Sequence, residues 1–139
     1  MFKFVKSLDG AKGLPYIAKA AAGTYHVGTA LYLDNGVAKV ATGAAFVQYI
    51  AQENKTLSAE DELIVLPVTG GMIFEAPISA FSASTQKTGL TVTIHTDGEK
   101  VTASAPGSGS AANGGAYIYD TLGAAAAGDK ILVRLGYYH

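Results

Sequence analysis

The stretch Ala30-Leu31-Tyr32-Leu33-Asp34-Asn35-Gly36-Val37-Ala38-Lys39-Val40 decides the fold class. Leu31 and Leu33 fall on one face and Tyr32 on the other, which is the two-residue period of a strand. Asn35-Gly36 then supplies two residues that tolerate positive φ, a strong short-range hairpin signal, and Val37–Val40 reads as the returning strand.

Outward from this hairpin the same grammar recurs. Phe46–Ala51 is the next strand candidate, and a polar loop over 52–61 leads to Leu63-Ile64-Val65-Leu66-Pro67-Val68. Pro67 has no N–H to give a ladder, which places it at a sheet edge or a ladder end. Gly70-Gly71 turns the chain into Met72–Glu75, a short strand that stops before Pro77. Leu90–His95 alternates cleanly, turns at Asp97-Gly98 and returns through Lys100–Ala103. A Gly-, Ser- and Asn-rich surface loop over 106–115 precedes Ala116–Tyr119, where Tyr117 and Tyr119 share the face opposite Ile118. Lys130–Leu135 is the last strand. Ala124–Ala127 favours helix, but Gly123 and Gly128 bracket it and limit it to one turn.

These elements predict an all-β fold, a compact barrel or sandwich. The order strand, Gly turn, strand, loop, aromatic strand, loop, apolar strand occurs twice. It predicts two similar small β units in tandem, 23–80 and 81–139. The plainer alternative is one antiparallel chain whose hairpins are separated by Gly turns. Residues 1–22 carry Gly10, Gly13 and Pro15 and are followed by Gly23, so they read as an extended N-terminal arm more readily than as a short helix over Ile17–Ala22.

With 139 residues, 49% of them hydrophobic, the chain can bury one core or two very small ones. It contains no Cys, so packing or assembly must supply stability without disulfides. Ten basic and eleven acidic residues are scattered to a net charge of −1. Only Lys3, Lys6, Lys12 and Lys19 approach a basic cluster, so no nucleic-acid footprint is expected. Lys3 and Lys6 interrupt Phe2, Phe4, Val5 and Leu8, which makes the N-terminal stretch a poor secretory signal. No run approaches the roughly 18 apolar residues of a spanning helix, and a protein made and used in the cytoplasm, or in something assembled there, away from membranes, is expected.

Candidate chemistry is sparse. His26, His95 and His139 match no metal spacing and read as surface or edge residues. No nucleophile elbow or phosphate loop occurs, and Gly107–Ser110 and Asn113–Gly115 have no Lys placed to reach a phosphate. Glu60-Asp61-Glu62 reads as a solvated flank that protects the apolar strand behind it. No catalytic residue, metal ligand or cofactor is expected. Eight Tyr outnumber five Phe, and Tyr suits interfaces because its ring buries area while its hydroxyl stays wet. The expected partner-binding residues are Phe2, Phe4, Val5 and Leu8 of the arm, with Tyr16 and the terminal pair Tyr137-Tyr138. The arm has two possible seats, a neighbouring molecule or its own body.

The stretch Gly23-Thr24-Tyr25-His26-Val27-Gly28-Thr29-Ala30-Leu31-Tyr32-Leu33, followed by Gly36–Ala41, resembles the small capsid-decoration (head-stabilising) proteins of tailed bacteriophages. The matching pieces are Gly28-Thr29-Ala30-Leu31 and Ala41-Thr42-Gly43, then Ile64–Val68 and Gly70-Gly71, within 23–78. The resemblance implies a β-tulip or barrel with an N-terminal arm, and neither cofactor nor catalysis. It further implies binding to the major capsid protein on the outer face of an icosahedral head assembled in the host cytoplasm, with self-association into oligomers there. The alternative is a small β-rich module that binds carbohydrate or protein.

Overall fold

The computed structural model describes residues 1–10, 13–43, 45–83, 87–102 and 116–135. These form strands β1 (Lys3–Ser7), β2 (Tyr16–Ala20), β3 (Gly23–Tyr25), β4 (Ala30–Asp34), β5 (Val37–Val40) and β6 (Tyr49–Ala51). Then follow β7 (Lys55–Leu57), β8 (Asp61–Pro67), β9 (Met72–Pro77), β10 (Thr91–Val92), β11 (Ala116–Asp120) and β12 (Lys130–Leu135). The fold is all-β, and no helix occurs among the described residues.

Five strands close a barrel in the order β2-β5-β4-β6-β8. The β4–β5 hairpin turns on Asn35 (φ 51°) and Gly36 (φ 82°), the paired positive φ values that its sequence announces. A barrel of so few strands has a narrow lumen, and small side chains fill it: Ala18, Ala20, Ala38 and Ala51, with Leu31, Leu63 and Val65 between them. The β3–β7 ribbon supplies Tyr25 and Leu57 to the same interior. Tyr25 is 2% exposed and its hydroxyl donates to the Ala21 carbonyl at 2.7 Å. At the opposite end, Tyr16 continues the inward phase of Ala18 and Ala20 and stacks on Tyr49, ring centroids 6.0 Å apart.

The second layer is an open, antiparallel sheet in the order β1-β9-β12-β11-β10. One row of its inner face runs Phe4, Phe74, Val133, Ile118 across four strands. This face packs on the outside of the barrel, so β4, β6 and β8 are buried on both sides. Leu31, Ala51 and Val65 point into the lumen, while Ala30, Ile50 and Leu66 join the core between the layers. On β8 that two-sided burial covers Val65 and Leu66, whereas Ile64 faces outward and is exposed.

The expected boundaries cut across these layers. From residues 1–22 come a strand of the open sheet and a strand of the barrel. β9 lies before residue 80 and pairs with β12, which lies after it. Asp61 opens β8 and Asp129 stands just ahead of β12, yet β8 closes the barrel and β12 runs through the open sheet. Leu90–His95 is a shorter strand than its alternation suggests. Only Thr91–Val92 joins the sheet, while Ile94 forms isolated bridges to Gly43 and Val101. Likewise only Tyr49–Ala51 of Phe46–Ala51 is strand. Pro67 ends the β6–β8 ladder, opposite Tyr49. Ala124–Ala127 forms a turn closed by the Asp129 carboxylate, which accepts the Ala125 and Ala126 amides at 2.9 and 3.0 Å. The loop over 106–115 lies outside the described residues.

Candidate functional site

The residues expected to meet a partner are concentrated on β1. This strand pairs with β9 on one side and is the edge of its sheet. Its register shifts between Phe4 and Lys6, a bulge at Val5. A bulge with Lys3 and Lys6 on the strand is the usual guard of an exposed edge against uncontrolled pairing. Phe4, Val5 and Leu8 are 38%, 45% and 49% exposed. Phe4 sets its ring edge-on to Phe74 at 5.8 Å, and Lys6 lies over the Tyr119 ring at 5.2 Å.

Phe2 behaves differently. It is 3% exposed, sits in the core between the layers, and its amide donates to the Gly28 carbonyl at 2.9 Å. Gly28 has φ +95°, and a Cβ there would stand 2.7 Å from the Met1 Cβ and 3.0 Å from the Phe2 oxygen. Only glycine fits this crossing, on both counts.

Because Phe2 leaves for Gly28, the β1–β9 register begins at Lys3 opposite Glu75. A groove of about 620 Å³ opens there between the layers. Its apolar walls include Phe4, Val27, Ile50, Leu66, Phe74 and Pro77, and its polar members are Lys3, Gln52, Glu75 and Lys130. Glu75 lies 3.4 Å from the Lys130 ammonium. A smaller hollow of about 210 Å³ on the barrel wall is lined by Ile17, Ile64, Glu53, Lys55 and Glu62. Ile17 and Ile64 are cross-strand neighbours there, 58% and 41% exposed.

A polar cluster holds the hairpin 95–100 against the loop 26–29. His26 Nδ1 lies 2.6 Å from Glu99 Oε1, and the Thr29 hydroxyl donates to the same oxygen at 3.3 Å. Thr29 is buried and also accepts the His26 amide at 3.1 Å. Asp97 accepts the Glu99 amide at 2.8 Å and faces Lys100 at 3.6 Å. Burial alone would raise the Asp97 carboxyl, but the Glu99 amide, His95 and Lys100 together hold it below the usual carboxylate value. His95 Nδ1 is 3.3 Å from Asp97 Oδ1 but buried and out of line for a good hydrogen bond. Gly98 (φ +70°) lets the hairpin reach the barrel, where its carbonyl accepts the Ala30 amide at 2.7 Å.

This cluster fastens two segments together and activates no hydroxyl. Nucleophilic catalysis needs the imidazole to face the hydroxyl; here both bind one carboxylate. Among the described residues no group of three His, Asp or Glu is placed to hold a metal ion, and no helix is long and apolar enough to cross a membrane.

The structure brings Phe2 and Phe4 to one groove and sets Val5 and Leu8 along the same strand or just beyond it. Tyr16 sits at the barrel mouth instead, and Tyr137 and Tyr138 lie outside the described residues. Sequence reasoning missed the His26–Glu99 pair, since no motif links positions so far apart. It also missed the groove, whose walls come from both layers. Compared with known proteins, the chain matches no family model, no curated relative and no solved structure.

Proposed function

We propose that this chain is a non-catalytic binding protein that docks on the surface of another protein through the free edge of β1. The observation that carries the proposal is that edge: a strand paired on one side only, with Phe4, Val5 and Leu8 substantially exposed along it or beside it. An open edge offers backbone N–H and C=O groups to an incoming strand, and neighbouring apolar side chains add the burial that stabilises it. A carbohydrate site would gather Tyr, Asn and Asp in a groove, whereas the groove beside β1 has aliphatic and Phe walls. Protein is the better-matched class of partner.

The partner we propose is the major capsid protein on the outer face of a tailed-phage head, with this chain serving as a decoration or cement protein, self-associated there or singly bound. The support is the resemblance of 23–78, which includes the β4–β5 hairpin and the Gly28 crossing. The proposal does not require the two halves to be copies of one β-tulip unit. The test is co-sedimentation of the purified chain with phage heads prepared without it. Saturable binding at a fixed ratio to capsid subunits, together with greater resistance of the heads to heat, is the expected result. Heads that neither bind the chain nor gain resistance would refute the capsid assignment.

A further inference from the structure

We infer that the groove at the head of β1 seats a partner segment carrying an apolar side chain next to a carboxylate. This rests on the reading of the chain as a protein-binding module and names the chemistry of what it binds. The groove exists because Phe2 gives its amide to Gly28 and departs from β9, while Pro77 on the opposite wall has no amide to bridge the gap. Its volume of about 620 Å³ is ample for one or two side chains. Phe4, Val27, Leu66 and Phe74 give it a surface that only an apolar group can cover without losing hydrogen bonds to water.

The charges at the rim set the rest of the specificity. Lys130 and Glu75 are 3.4 Å apart and satisfy each other. Lys3 stands at the rim on the edge strand, exposed and in no ion pair among the described residues. The rim is therefore left with two cationic groups outside any ion pair among the described residues, the Lys3 ammonium and the Met1 amino group, beside an apolar hollow. A carboxylate flanking the anchor residue complements them, and a flanking cation is repelled by them. The groove also lies at the end of the strand whose backbone edge is free, so anchor and edge serve one docked segment.

The test uses the full chain, labelled with nitrogen-15, titrated with a blocked pentapeptide Asp-Ser-Leu-Ser-Asp and with its Lys-Ser-Leu-Ser-Lys counterpart. The acidic peptide is expected to give saturable amide shifts at Lys3, Phe4, Gln52, Phe74 and Glu75. Lys3→Gln, with an unchanged melting temperature, is expected to weaken it by about five-fold, the upper range for one exposed ion pair. Absence of saturable shifts at these amides, equal binding of the two peptides, or indifference to Lys3→Gln would each overturn the inference. So would saturation of the groove by decanoate with no response to the acidic peptide, which would make it a site for a small apolar anion. If the chain binds heads but fails these criteria, the groove assignment falls and edge docking stands. If the peptide results hold but heads are not bound, the capsid assignment falls and the groove stands.

Discussion

Replacing Phe2 by alanine removes the side chain that ties the first strand to the core. Phe2 is 3% exposed and packs in the cluster between barrel and sheet. Truncating a buried Phe costs about 3–5 kcal/mol when the surroundings relax only partly. β1 is an edge strand, so it can detach rather than leave a cavity, and that escape puts the expected loss near the bottom of the range, about 3 kcal/mol. In a chain of this size such a loss lowers the melting temperature by roughly 10 °C. Phe4→Ala is the internal control. Phe4 is 38% exposed and keeps one edge-on contact with Phe74, so its truncation should cost only about 1–2 kcal/mol. Urea unfolding of the isolated chain, followed by far-ultraviolet circular dichroism and Tyr fluorescence with the slope checked for constancy, measures both. A Phe2→Ala loss below about 1 kcal/mol, or equal to that of Phe4→Ala, would refute the assignment of Phe2 as an anchor within its own molecule.

Three further outcomes follow from other contacts. Gly28→Ala should destabilise the chain by about 1–3 kcal/mol, since its φ of +95° is strained for alanine and the new methyl meets Met1 and Phe2, and exchange protection should fall first in β1. Tyr25→Phe should cost about 1 kcal/mol by removing the donor to Ala21, and in the native protein Tyr25 should ionise above ordinary tyrosines because burial raises its pKa, which ultraviolet titration reads. Asp97, with its carboxyl held below the ordinary value of 3.8, stabilises the fold fully above that value and loses this contribution as pH falls below it. Asp97→Asn should therefore flatten the acid limb of a stability–pH curve, and an unchanged limb would show that the fold gains nothing from the charge.

How far the fold was legible depended on whether a strand's pattern is local. The β4–β5 hairpin was legible because Asn35-Gly36 sets its turn without help from the rest of the chain. β8, β9, β11 and β12 were legible because apolar runs or alternation match the layers they enter, as with Ile118 buried between Tyr117 and Tyr119. β2 was not, because a narrow lumen selects alanine at 18 and 20, and alanines beside Gly and Pro resemble a linker. β1 was not, because its one deeply buried anchor, Phe2, lies beside a crossing that Gly28 makes possible from 26 positions away. Phe2 and Phe4 were legible as apolar residues needing a surface, but the groove was not, since Val27, Leu66 and Phe74 converge only after the layers pack.

The central claim, that the chain binds another protein through the edge of β1, is tested most directly by an electron cryo-microscopy reconstruction of phage heads, the partner proposed above, after incubation with the purified chain. The account predicts density for this chain on the outer face of the shell, with β1 turned to a capsid subunit and a strand or side chain of that subunit against Lys3–Ser7. A particle without the chain, or one in which the β1 edge faces solvent while another surface makes the contact, would contradict it.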